Sequence, residues 1–137
     1  MIDYCQLVQG RGEKAYDKLR DVAYGSKALA KELNVPIVLL AQLNREVEKR
    51  ENKRPMLSDL RDSGAIEEAG DIVGMLYREG YYNQNFTMPS VMECSIEKHR
   101  NGELGQCLWY FAGDLSRMTA LDPEARRQYK QLVAGGR

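Results

Sequence analysis

A chain of 137 residues, 43% hydrophobic and 29% charged, has room for one domain or a large piece of one, and a second full domain is not expected. Lys and Arg number 20 and so do Asp and Glu, so any contact with nucleic acid has to come from local basic loops and not from a globally positive field. Three cysteines at unrelated spacings (Cys5, Cys94, Cys107) and a single histidine argue against a zinc site or a disulfide framework.

Reducing cytoplasm is the compartment that this cysteine usage implies. The sequence offers no apolar run near the roughly 18 residues of a membrane span, and its first residues do not form a signal-peptide pattern, so no membrane association is expected. The chain opens on Met1-Ile2, which runs directly into Asp3-Tyr4-Cys5 like the end of a strand.

From Glu13 to Leu33 the apolar residues Leu19, Val22, Ala23, Leu29, Ala30 and Leu33 recur at helical spacing, and Asn34 with Pro36 supplies a stop. Pro36 to Ala41 (PIVLLA) is continuously apolar, the pattern of a strand covered on both faces of a parallel sheet. Strand, helix and strand in this order predict a βαβ crossover. Leu43 to Ser63 is too charged and too aperiodic for a core element and reads as a long surface loop, a class that often carries function.

A short helix is expected at Ala65 to Ala69, then a central strand at Asp71 to Tyr77 (DIVGMLY) and a loop from Gly80 to Pro89. Val91 to Arg100 and Glu103 to Phe111 flank Asn101-Gly102, a dipeptide suited to a type I′ hairpin. With a two-residue turn, Ile96 pairs with Cys107 and Cys94 with Trp109, leaving Cys94 and Cys107 diagonal and disfavouring a disulfide between them. One face then carries Met92, Cys94, Ile96, Cys107, Trp109 and Phe111, and the other Glu93, Ser95, Glu97 and His99. A last helix starts at Asp122 as N-cap, has Pro123 in its first turn and stops at Gly135.

Several residues could carry chemistry. Asp3 follows apolar residues at what should be the carboxyl end of a strand, where open α/β folds place ligands and where a carboxylate can hold Mg²⁺ beside phosphates. Gln42 ends the next expected strand. The basic residues between Arg45 and Arg61 are interleaved with Glu46, Glu48, Glu51 and Asp59, a pattern that by itself describes a solvated loop. His99 has no Ser, Cys or Asp placed to work with it and reads as a hairpin-surface residue. Tyr77, Tyr81 and Tyr82 could stack on bases, although packing at a strand end is the commoner use of such residues.

In combination these segments resemble the DnaB family of hexameric replicative helicases over nearly the whole length. IDYCQLV resembles that family's Walker B segment, and KELNVPIV followed by Ala41-Gln-Leu-Asn-Arg45 resembles its next strand and phosphate-sensing Gln. Lys53-Arg-Pro and Ser58-Asp-Leu-Arg-Asp-Ser-Gly64 with Ile66-Glu67 are similar to its DNA-binding loop, and Lys98-His-Arg-Asn-Gly102 to its arginine-finger hairpin. His99 stands where the family usually has Gln and Asp62 where it often has Glu, and Gly70 interrupts the acidic pattern before the next strand.

The resemblance implies an α/β chain comprising an incomplete RecA-like core, with a parallel sheet extended by an antiparallel hairpin. Residues 1–137 would be the carboxy-terminal part of a helicase motor domain, from Walker B onward. It further implies Asp3 on Mg²⁺ and Gln42 at the γ-phosphate of ATP. Arg61, Asp62 and Gly64 would lie at the backbone of single-stranded DNA, and Lys98 with Arg100 would reach a neighbouring subunit's ATP within a homo-oligomeric, hexameric ring. No G-x-x-x-x-G-K-S/T occurs in this sequence, and the family's catalytic glutamate would lie upstream of residue 1. The chain by itself is therefore expected neither to bind ATP in the family's manner nor to hydrolyse it. Uncovered apolar edges would favour self-association. The alternative is a non-enzymatic truncated remnant or interaction protein that associates with intact helicase rings.

Overall fold

The computed structural model describes every residue except 2, 12, 61–63, 136 and 137. The chain divides into two compact units, Met1–Val73 with Glu97–Gly102, and Gly74–Ile96 with Glu103–Arg137. Helix α1 spans Ala15–Leu33 and buries Leu19, Val22 and Ala23, the first half of the stripe expected from its spacing. Leu29 and Leu33, further along the same stripe, are exposed. The helix stops at Asn34, which takes the left-handed conformation at φ 52° and bonds its amide to the carbonyls of Ala30 and Lys31. Asn tolerates that conformation better than most residues, which is why it can end a helix. Leu19 and Val22 pack with Cys5, and Ala41 and Ile66 close over them to form the core of the first unit.

Pro36 to Ala41 departs from expectation. It is not a strand: Leu39 holds an isolated bridge position, and the Leu40 carbonyl accepts from the Cys5 amide at 2.7 Å. Val38 remains exposed. An all-apolar run becomes a strand only where neighbours supply the ladder, and among the described residues no parallel pair forms here. The chain instead bridges onward, Leu43 pairing with Leu60 across the base of the charged loop.

Among the described residues, the sheet that does form has four strands in the order β1-β2-β3-β4, antiparallel throughout: β1 Ile72–Tyr77, β2 Val91–His99, β3 Gly105–Ala112 and β4 Arg117–Ala120. The strand expected to be central, β1, therefore stands at one end of the order. Helix α2 (Gly64–Ala69) precedes β1, and α3 (Glu79–Tyr82) follows it. Tyr77, Tyr81 and Tyr82 pack on one another, with Tyr77 and Tyr82 stacked at 5.7 Å and Tyr81 edge-on to Tyr82 at 4.9 Å. That arrangement matches the strand-end packing alternative.

The hairpin of β2 and β3 is present, but its register differs from the expected one by two residues. Ile96 pairs with Gly105, and Cys94 stands directly opposite Cys107, not diagonal to it. Both thiols are free. A type I′ turn needs positive φ at both central residues, and neither Asn101 nor Gly102 has it, so residues 100–104 make a longer connection. A two-residue slip preserves which face each side chain occupies, so the expected faces survive the error.

What the faces meet was not expected. The face carrying Glu93 is buried at that end, where Val91 and Leu108 pack with Leu121 and Tyr129. Tyr129 lies on α4 (Pro123–Gly135), whose start is fixed as expected: the Asp122 side chain accepts from the amides of Glu124 and Ala125, both at 3.0 Å. Glu93, only 2% exposed, accepts from the Tyr129 hydroxyl and, at 2.8 Å, from the Gln106 amide. A buried carboxylate is tolerated when its oxygens are bonded in this way. Among the described residues no helix is long and apolar enough to cross a membrane.

Removing the Tyr129 hydroxyl deprives this buried carboxylate of a donor while leaving the ring in the core. Tyr129→Phe should cost about 1–3 kcal/mol of stability in urea unfolding. An unchanged midpoint would mean that Glu93 is satisfied without it.

Candidate functional site

Of the sequence-predicted site residues, the first unit places Asp3, Gln42, Gly64, Lys98 and Arg100. The Asp3 and Gln42 segments run side by side. Besides the Cys5 amide bond to Leu40, the Gln6 carboxamide accepts from the Gln42 amide and donates to the Gln42 carbonyl, both at 3.3 Å. Asp3 and the Gln42 side chain are both exposed, and Gln42 lines a cavity of about 310 Å³ with Leu43, Asn44 and Arg45. Gln6 had no assigned role in the sequence. It follows Asp3 by three residues, and its carboxamide is what holds the Gln42 backbone at the edge of the cavity.

The charged loop after Gln42 is closed at its base. The Asn44 amide donates to the Asp59 carbonyl at 2.7 Å, next to the Leu43–Leu60 bridge. Inside the loop, buried Asp59 accepts from Arg50 Nη2 at 2.6 Å and from the Met56 amide at 2.8 Å. Arg50 Nη2 also donates to the Arg54 carbonyl at 3.2 Å, and Lys53 donates to the Arg50 carbonyl at 2.9 Å. The basic residues of this loop thus divide into some that build it, Arg50 above all, and others such as Arg45 that are exposed. Arg61 and Asp62 lie outside the described residues. Gly64 is the first residue of α2 and is exposed.

Helix α2 leads from that loop to the hairpin. Its last carbonyls have no partner inside the helix and need donors from elsewhere. The Gly70 amide returns to the Ile66 carbonyl at 2.9 Å. A Cβ at residue 70 would sit 3.1 Å from that oxygen, which accounts for the glycine that interrupts the acidic run. Lys98 Nζ donates to the carbonyls of Glu67 and Glu68, and Arg100 Nη2 reaches the Glu68 carbonyl at 3.3 Å. Cations at a helix carboxyl end also meet the negative pole of its dipole. Lys98 and Arg100 therefore stand together, and both are engaged by α2 of their own chain.

Asp71, just beyond the helix, completes this cluster and was not singled out in the sequence. Its carboxylate accepts from Lys27 Nζ on α1 and from Arg100 Nε at 3.2 Å. The Lys27 hydrogen bond is the main cause of a carboxyl pKa below the ordinary value; desolvation opposes it, and the charges of Lys27, Arg100 and Lys98 add to the lowering. Nearby, the Tyr24 hydroxyl bonds the Glu68 carboxylate, which raises the tyrosine pKa. His99 lies with its ring against Gly102, a packing position. Among the described residues no three His, Cys, Asp or Glu side chains are grouped to hold a metal. Asp3 could thus supply one carboxylate to Mg²⁺, which commonly takes one or two from a protein and the rest from phosphates and water.

With this geometry the family can be stated. The chain belongs to the family described as DnaB-like helicase C terminal domain, which it matches over residues 1–120. Within that family it is 42% identical over 125 residues to the replicative DNA helicase DnaB of Geobacillus stearothermophilus, covering 89% of this chain and 28% of the relative. It is 41% identical over 125 residues to the replicative DNA helicase DnaC of Bacillus subtilis, covering 89% and 28%. Among solved structures it is similar to "The Structure Of A DnaB-Like Replicative Helicase And Its Interactions With Primase", with TM-score 0.84 and 36% identity over 88% of this chain and 29% of that one. The chain therefore spans less than a third of the length of these two helicase relatives.

A lowered pKa in the folded state means that the Asp71 interactions contribute above the ordinary carboxyl pKa and are lost as pH falls through the lowered one. Carbon-detected NMR titration should place Asp71 below the ordinary aspartate range, and Lys27→Met should move it upward. A midpoint indifferent to Lys27 would remove the ion pair from the account.

Proposed function

We propose that this chain is the carboxy-terminal part, from the Walker B segment onward, of a RecA-like motor that hydrolyses ATP at subunit interfaces of a hexameric ring. The ring translocates on single-stranded DNA and unwinds duplex during replication. In this proposal Asp3 is a ligand of Mg²⁺ beside the phosphates, and Gln42 senses the γ-phosphate of ATP. Arg61, Asp62 and Gly64 lie along the DNA backbone, and Lys98 and Arg100 act on the nucleotide of a neighbouring subunit. A parallel core sheet belongs to the same proposal.

The observation that carries it is the pairing of the Asp3 and Gln42 segments through Cys5, Leu40 and Gln6, which brings a carboxylate segment and a sensing amide to one edge of the first unit. Open α/β folds bind phosphates at the carboxyl ends of adjacent parallel strands, the position that the proposed core sheet would give these two segments. Family membership over residues 1–120 supports it independently. The chemistry assigned to this chain's residues is electrostatic. Lys98 and Arg100 stabilise charge that develops on the transferring phosphoryl group, a task for which fixed cations need no rearrangement. Backbone contacts from the 58–64 loop carry no base information, so binding along the strand is sequence-tolerant.

Three measurements test the hydrolytic part of the proposal. In a complete ring that supplies a P-loop, Arg100→Ala should lower the kcat for ATP hydrolysis on the order of 10³-fold or more, with nucleotide binding and assembly retained. Rings mixed from Arg100→Ala subunits and P-loop-defective subunits should regain part of the activity, and no recovery in rings that exchange subunits would refute action in trans. Pure 137-residue chain should hydrolyse no ATP above background; turnover abolished by Asp3→Ala would contradict this.

Separately, Arg61→Ala in the ring should weaken single-strand binding about equally for all sequences and reduce its salt dependence. Affinity unchanged across salt concentrations would take the 58–64 loop out of the DNA path.

A further inference from the structure

The residue that the proposed function leaves unused is Asp71. It is tied to Arg100 twice: its carbonyl accepts from the Arg100 amide at 2.8 Å, and its carboxylate accepts from Arg100 Nε at 3.2 Å. Lys27 on α1 engages the other carboxylate oxygen, which fixes how the carboxylate is turned. The guanidinium also meets the Glu68 carbonyl through Nη2 at 3.3 Å. The Arg100 side chain is nevertheless half exposed.

We propose that Asp71 is a positioning residue for Arg100, holding the guanidinium by Nε so that its Nη edge stays presented to an external phosphate. The proposal rests on Arg100 being a finger that acts on a neighbouring subunit's nucleotide. Guanidinium carries five N–H donors in a rigid fork. The contacts to Asp71 and Glu68 use two of them, Nε–H and one hydrogen on Nη2. Nη1 and the second Nη2 hydrogen remain to form a two-pronged grip on an oxyanion.

An ion pair this exposed contributes little to stability, so its importance lies in geometry. The backbone bond sets residues 71 and 100 opposite each other, and the side-chain pair therefore closes with little further ordering. Lys27 supports the arrangement from α1, and Lys98, held on the same helix end, keeps the second cation beside the first. A charge placed in advance stabilises a transition state without reorganisation, whereas a swinging side chain must be ordered in each turnover.

The test uses a full-length ring protein that carries this segment and its own P-loop, with ATPase kinetics and ring assembly as readouts. Asp71→Asn should lower kcat about tenfold, with KM for ATP and assembly unchanged, because misplacement of a reacting group costs rate before it costs binding. Asp71→Glu should recover part of the rate, and Lys27→Met, which leaves Asp71 in place, should cause a smaller loss. In an Arg100→Ala background, Asp71→Asn should change nothing further, an outcome that a merely structural role would not produce. Wild-type kcat in Asp71→Asn, where Arg100→Ala has lost activity, would overturn the positioning role and leave the finger standing. Faster hydrolysis in Asp71→Asn would also overturn it, by making Asp71 a restraint. Normal hydrolysis in Arg100→Ala would remove the finger itself and the positioning role with it.

Discussion

The carboxyl end of α2 is the constraint around which the first unit is arranged. A helix of six residues leaves most of its carbonyls without partners inside itself, and such a short helix is not stable by propensity. Its carbonyls are met by a glycine amide, an ammonium and a guanidinium drawn from two different parts of the sequence. Satisfying them fixes residues 97–102 against the carboxyl end of the helix. Electrostatics follows from the same need: the cations at the helix end require a counter-charge, and Asp71 provides it where the next strand begins.

Much of this architecture was legible in the sequence because local chemistry determined it. Asp122 before Pro123 could only start a helix, Asn34 before Pro36 could end one, and the alternation around residues 91–111 could only be paired strands. Other features were decided by partners far away in the chain. The hairpin slipped two residues because the connection is not the tight turn its dipeptide favours. Glu93, written on what looked like a polar face, is buried because α4 brings Tyr129 onto that face. PIVLLA carried a strand's composition, yet composition cannot supply the neighbours that make a ladder.

At the candidate site the motif residues were easier to find than the residues that support them. Lys98 and Arg100 share a strand face by simple parity, and their meeting point on α2 follows from the hairpin leading back to the residues before β1. Asp71, Lys27 and Gln6 gave no comparable signal, since a carboxylate at a strand start, a lysine on a helix and a glutamine beyond an acidic residue are common everywhere. Their importance comes from long-range contacts, 44 residues apart for Lys27 with Asp71 and 36 for Gln6 with Gln42.

The closed base of the charged loop has a consequence for how this sequence can vary. Leu43 with Leu60, and Asn44 with Asp59, join the two feet of the loop, while Arg50 on Asp59 braces it from within. The entropy of bringing the feet together is met at the base, and each doubling of the span between them adds only about 0.6 kcal/mol. Residues between the brace and the feet can therefore be inserted, deleted or exchanged without disturbing the bridge below. Such a loop can drift in length and charge while its anchoring points stay fixed.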